Sequence, residues 1–221
     1  MIEISDLAKS LFKEYCAGVI TASVTNSAFD EGLWCEIDAL TEEIRKKYSV
    51  ADIKLIPTIH ATRNAYKIAG KDPNRYRPSA EALMRRLING NELYKISTLV
   101  DLINLVSLKT GYSIGGFDKD KIVGTPMLGV GEEDEKFEGI GRGLLNIAGL
   151  PVYRDELGGI GTPTSDEVRT SISSETKNIF VIINGYSGIE GLQEAIDYTV
   201  DLLKKYAEAT SVTSAICPAN I

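Results

Sequence analysis

The chain holds a single histidine, His60, among its 221 residues. A Ser-His-Asp triad stays possible, but an HExxH site or any metal site built on several histidines is excluded. The three cysteines, Cys16, Cys35 and Cys217, sit at unrelated spacings with no CxxC. Neither a zinc ribbon nor a redox dithiol is encoded, and the cysteines read as buried free thiols. Aromatic residues are only 7% of the chain, so the core is expected to be aliphatic. No run of 18 apolar residues occurs, which excludes a membrane-spanning helix. The opening "MIEISDLAKSLFKEYC" carries early acids and no long apolar stretch, so it does not read as a signal peptide, and a cytosolic protein is expected. GxGxxG and GxxxxGK[ST] are both missing, and the glycines of "GIGRGLLNIAG" follow an acidic loop rather than a strand. The acidic run "GVGEEDEKFEG" does not have the spacing of a calcium loop. No cofactor and no metal is therefore expected, and any chemistry must run on carboxylates, hydroxyls, backbone amides or the substrate itself.

What is present is an ordinary globular composition, 43% hydrophobic and 25% charged, which fits one compact domain over residues 1–221. The charge is unevenly spread. From His60 to Arg86 there are seven basic residues against two acids, a window of +5 in a chain of net charge −7, so the remainder carries −12. Such a basic face on an acidic body suits the docking of a polyanion at one place, and it equally suits a solvated helix pair.

"VITASVTNS" (19–27) reads as a strand, being rich in β-branched residues. "EGLWCEIDALTEEIRKKY" has Leu33, Trp34, Ile37, Leu40 and Ile44 at helical spacing. Pro57 can open a second helix that Gly70 closes, and Ser79 can cap a third that ends at Asn89-Gly90. Thr98 with Asp101 makes a capping-box-like start for a fourth. After Gly111 come short strand-like runs, "YSIGGF", "KIVGTPMLGV", "LPVYRD" and "NIFVIING", split by glycines. An amphipathic helix, "GIEGLQEAIDYTVDLLKKYAEA", follows them. Helices first and strands afterwards predict an α+β fold with helices packed on mostly antiparallel sheets, rather than βαβ alternation.

The fourth helix is apolar nearly all round, with Asp101, Asn104 and Ser107 as its polar stripe. Unpartnered, a buried Asp or Asn costs ~1–3 kcal/mol or more, so that stripe must meet polar partners or a wet cleft. The helix runs straight into "SIGGFD", whose glycines would let a backbone or a ligand approach closely. A cleft floored by Gly115 and Gly116, with the 161–166 loop nearby, would present amides and hydroxyls to a small polar ligand.

"RPSAEALMRRL", "KISTLVDLINLVSLKTGYSIGGFDKDKI" and "SSETKNIFVII" occur in the order and spacing of the tRNA-binding and editing domain of the phenylalanyl-tRNA synthetase β chain, which this chain resembles over roughly 57–185. The match of its INxxVDxxN…FDxxK block falls on Ile96, Val100, Asp101, Asn104, Phe117, Asp118 and Lys121. The N-terminal strand and helix and the C-terminal helix would pack on that core. In the synthetases this domain hydrolyses tyrosine wrongly attached to the phenylalanine tRNA. The resemblance thus implies tRNA binding and hydrolysis of a mischarged aminoacyl ester in trans. A non-catalytic RNA-binding module of the same fold, or a binder or hydrolase of a small amino-acid derivative, are the alternatives. Three family features differ: the histidine of its HAFD motif falls on Gly115, a glutamate that reads the tyrosine hydroxyl falls on Ile182, and the small glycine-rich loop before that glutamate is replaced by "GTPTSDEVR" (161–169). An apolar Ile182 cannot hydrogen-bond a phenol, so an amino acid other than tyrosine is expected. The implied pocket comprises Gly115, Gly116, Thr162, Thr164, Ser165 and Asp166, with Arg169 for a carboxylate or phosphate. Its frame is Asp101, Asn104 and Asp118. Arg63, Lys67, Arg75, Arg77, Arg85 and Arg86 are the expected tRNA contacts. With no strong protein base in prospect, water positioning and the 2′- or 3′-hydroxyl of the tRNA would carry the reaction.

Overall fold

The computed structural model describes residues 1–219. Three layers make up the fold. The central layer is an antiparallel sheet built from β2 (Cys16–Ser23), β3 (Ile114–Asp118), β9 (Asn178–Gly185) and β10 (Thr210–Pro218), in the order β10-β2-β9-β3. One face of this sheet is covered by helices α2 (Glu31–Lys47), α4 (Ser79–Ile88), α5 (Thr98–Thr110) and α6 (Leu192–Tyr206). Its other face packs on a second sheet in the order β1-β4-β7-β8, made of β1 (Glu3–Ile4), β4 (Met127–Val130), β7 (Pro151–Asp155) and β8 (Gly158–Gly161). Only the β1–β4 pair is parallel. Helices α1 (Asp6–Leu11) and α3 (Pro57–Ile68) close the ends of this second core, and β5 (Glu138–Gly139) with β6 (Gly143–Leu144) form a small separate hairpin.

The period-2 alternation of the strands explains the two cores. In β9, Ile179, Val181 and Ile183 face the helices while Phe180 and Ile182 face the second sheet. Because both faces of the strand are covered, it reads as a continuous apolar run. The helix starts differ from expectation in detail. Ser79 is the first helical residue of α4 rather than its cap, which is Pro78, and the Ser79 amide donates instead to Pro163 O at 2.8 Å. The N-cap position of α5 is Ser97, whose side chain makes no capping bond, and the Thr98 hydroxyl meets that of Ser27 at 2.6 Å. At its other end Gly111 adopts a left-handed conformation with φ 74°, which ends the helix and turns the chain into β3. Strand β10 and the β1–α1 segment have no counterpart among the sequence expectations. None of the helices among the described residues is long and apolar enough to cross a membrane.

Candidate functional site

Where α5 packs over the edge strand β3, a cleft of about 320 Å³ opens. Val100, Ile103, Asn104 and Ser107 of α5 line it, a spacing of i, i+3, i+4 and i+7 that marks one helical face. Ile114 and Gly116 of β3 form its floor, Leu83 of α4 closes one side, and Thr162, Ser165, Asp166, Ser171 and Ile172 close the other. Ile96 and Ile140, 57% and 49% exposed, stand at the mouth.

The polar stripe of α5 therefore divides. Three residues advance a helix by about 60° short of a full turn, so Asp101 and Ser107 lie roughly 120° apart. Asp101 points to α2, where its Oδ2 accepts from Trp34 Nε1 at 2.8 Å and its Oδ1 from the Ile96 amide at 3.1 Å. Burial raises its carboxyl above the usual range, and those two bonds offset part of that. Asn104 and Ser107 reach the cleft, where their side chains make no hydrogen bond among the described residues. Asp118 is turned away, taking a bond from Thr176 Oγ1 at 2.9 Å and lying 3.4 Å from Lys121 Nζ.

The 162–165 turn is held by its own first residue. Thr162 Oγ1 accepts from the amides of Thr164 and Ser165 at 3.1 and 3.0 Å, and Pro163 O ties the turn to α4. Asp166 follows, at the junction of the two sheets. Its Oδ2 accepts from the Gly116 amide at 3.2 Å, a donor that the edge strand leaves unpaired. The carboxyl has no ion pair, and burial pushes it up to about 7 against the partial relief of that one bond. It is the sole titratable side chain in the cleft lining.

The structure thus brings Gly116, Thr162, Ser165 and Asp166 together and separates them from the other pocket candidates. Thr164 turns inward, its hydroxyl bonded to Tyr66 Oη at 2.8 Å. Arg169 is spent inside the protein, in a bidentate pair with Asp155 at 2.8 and 2.9 Å. Burial works to raise the Asp155 carboxyl, but that guanidinium and the Val123 and Leu157 amides outweigh it and hold it low. Gly115 pairs with Ile182, which packs in the second core, and does not line the cleft, although its Cβ would lie 3.4 Å from Asp166 Oδ1. A Cβ at Gly115 would come within 2.7 Å of the Phe117 ring, so no side chain fits there as the ring stands. Gly116, by contrast, floors the cleft: a Cβ would lie 2.3 Å from Ile103 Cδ1, so any side chain there would push the end of Ile103 aside. Ser171 and Ile172 line the cleft without any motif to announce them, while Ser79 and Leu83 fall in the "RPSAEALMRRL" block without being singled out for the pocket. Ser107 and Val100 were legible as a helical face only once the direction of the cleft was known.

The expected basic face is partly internal. Arg63 is buried and pairs with Glu81, itself fully buried, at 2.7 Å. Arg85 binds the same carboxylate at 2.8 Å and Arg77 lies 3.7 Å from it. Lys67, Arg75 and Arg77 remain exposed, and Arg86 lies over the exposed Tyr94 ring at 4.0 Å. His60 is exposed and lines a different groove, of about 710 Å³, between α1 and α3.

Residues 61–208 match the family profile of the B3/4 domain. An N-terminal fragment of the phenylalanyl-tRNA synthetase β subunit from Pyrococcus horikoshii is similar at 14% identity and a TM-score of 0.49, over 99% of this chain and 54% of that one. The chain thus spans about half the length of that fragment. No curated protein sequence matches.

Proposed function

Because the chain belongs to the B3/4 domain family, we propose that it binds an aminoacyl-tRNA and hydrolyses the ester of a mischarged amino acid in the cleft between α5 and the 162–172 segment. The observation that carries this reading is Asp166, an unpaired carboxyl near neutrality in a cleft with unengaged amide and hydroxyl groups. A group whose pKa lies near the working pH is the most effective general base. Oδ2 is held by Gly116; Oδ1 lies toward Gly115 and Gly161, 3.4 and 2.9 Å from where their Cβ atoms would be, and takes no hydrogen bond among the described residues, so it is the oxygen left to accept a proton from water. In this mechanism the water oxygen attacks the ester carbonyl and its proton passes to Asp166. The 2′- or 3′-oxygen of the terminal ribose then leaves and takes that proton back. The Asn104 amide is the free donor best suited to the carbonyl oxygen as it gains charge. The tRNA body would lie against Lys67, Arg75, Arg77 and Arg86, outside the cleft.

A second reading, a module that binds RNA without cutting, draws on the lack of any second titratable group in the cleft lining. A panel of aminoacyl-tRNAs assayed for deacylation separates the two. Asp166→Asn is expected to lower the rate on the preferred ester by ~10²–10⁴-fold. If no ester is cleaved faster than it hydrolyses alone, the catalytic reading is lost, and binding that persists leaves the module.

A further inference from the structure

The apolar wall and the charge of the cleft together specify what it accepts, which deepens the hydrolytic reading and rests on it. We propose that the cleft selects an α-amino ester or amide with an aliphatic side chain, and rejects both the free amino acid and a phenolic side chain.

The apolar part of the cleft lining includes Leu83, Val100, Ile103, Ile114, Ile140 and Ile172. Ile103 and Ile114 are 7% and 8% exposed, so they form its depth, and Ile140 stands at the rim. All six are branched aliphatics that offer no acceptor and no aromatic face. A phenol hydroxyl set against these six would lose its bond to water and gain none from them, unlike one set beside Asn104 or Ser107 of the same lining, and that loss is worth about tenfold in affinity. An aliphatic side chain meets only favourable apolar contact there.

The second criterion is electrostatic. No lysine, arginine or histidine lines the cleft, and Asp166 has no cationic partner. Asp166 is therefore the one charge of the lining, about half ionised at pH 7, and it makes the field inside negative with no cation to compensate it. It favours an α-ammonium and disfavours the carboxylate that a free amino acid would bring beside Asp166. An ester or amide carries the ammonium without that carboxylate. A cleft of about 320 Å³ is at the small end of ligand sites, a size suited to the amino-acid moiety alone.

The test is binding of small probes to the whole protein at pH 7, followed by amide NMR or calorimetry. Leucinamide is expected to bind at least 10-fold more tightly than tyrosinamide and than leucine. Asp166→Asn should erase the preference of leucinamide over leucine. Val100→Thr, nearly the same shape with a hydroxyl added, should narrow the gap between leucinamide and tyrosinamide several-fold. Leucine or tyrosinamide binding as tightly as leucinamide overturns the proposal. A parallel deacylation series, one tRNA charged in turn with leucine, isoleucine and tyrosine, keeps the two claims apart. Hydrolysis that is fast but fastest for tyrosine refutes this selectivity and spares the hydrolytic reading. Correct ranking of the amides with no hydrolysis refutes the hydrolytic reading and supports the selectivity.

Discussion

Asp166 joins two consequences in one side chain. Its carboxyl lies at about 7 in the folded protein against 3.8 in the open chain. A raised acid costs nothing while it is neutral in both states, below about pH 4. The cost then grows as the pH rises and is complete above about pH 7. Asp166→Asn removes it while keeping an acceptor for the Gly116 amide. The variant is expected to match the wild type at pH 4 and to exceed it by about 2 kcal/mol at pH 8, half the full linkage value because the residue keeps some solvent contact. Urea midpoints at the two pH values measure this, and an unchanged difference would refute the buried-carboxyl account. Ester hydrolysis should rise through a midpoint near pH 7 in the wild type and be low and flat in the variant. Glu81 makes the opposite case. Fully buried, it neutralises Arg63, itself 8% exposed, and binds Arg85 as well. Glu81→Ala would leave a buried guanidinium without its counter-charge, at an expected cost of ~3–5 kcal/mol in chemical denaturation.

At the scale of elements, the pairing of α5 with β3 determines whether a cleft exists. Gly116→Ala puts a methyl where Ile103 Cδ1 now lies, at 2.3 Å. That Ile103 atom is the free end of a side chain, so it can move, and the expected cost is ~1–3 kcal/mol with the floor of the cleft raised. Ligand affinity should fall more than stability does, and a variant that binds leucinamide as the wild type does would show that Gly116 is not the floor. These same elements show what was legible beforehand. Helical periodicity located α2, α3, α4, α5 and α6, and glycine-split apolar runs located β3, β4, β7 and β9. The double glycine pointed to a close approach, but only strand alternation, once the partner of β3 was known, separated Gly116 in the cleft from Gly115 in the second core. Arg169 and Thr164 looked like ligand contacts because a sequence shows a side chain's chemistry and not the partner it already has. Ser171 and Ile172 carried no signal at all, since their place depends on the 166–172 segment lying along the edge of β3, as the bridge between Phe117 and Ser171 records.

Across the whole molecule, a net charge of −7 means that a polyanion must find a local exception. With Arg63 and Arg85 engaged by Glu81, that exception rests on Lys67, Arg75, Arg77 and Arg86. Arg75→Glu with Arg86→Glu is expected to weaken tRNA binding about tenfold or more at low salt and to flatten its salt dependence, without altering leucinamide binding. Filter binding across a salt series reads both quantities. An unchanged affinity would place the RNA elsewhere on the surface.

Strand β2, residues 16–23, has no neighbour of its own era. It pairs with 178–185 on one side and with 210–218 on the other. During synthesis it must wait, apolar and with both edges open, until residues 178–218 have followed it from the ribosome. Contacts this distant in sequence close slowly, so refolding should be slow for a protein of this length. A nascent chain halted before residue 178 would be a natural client for a chaperone that holds unpaired strands.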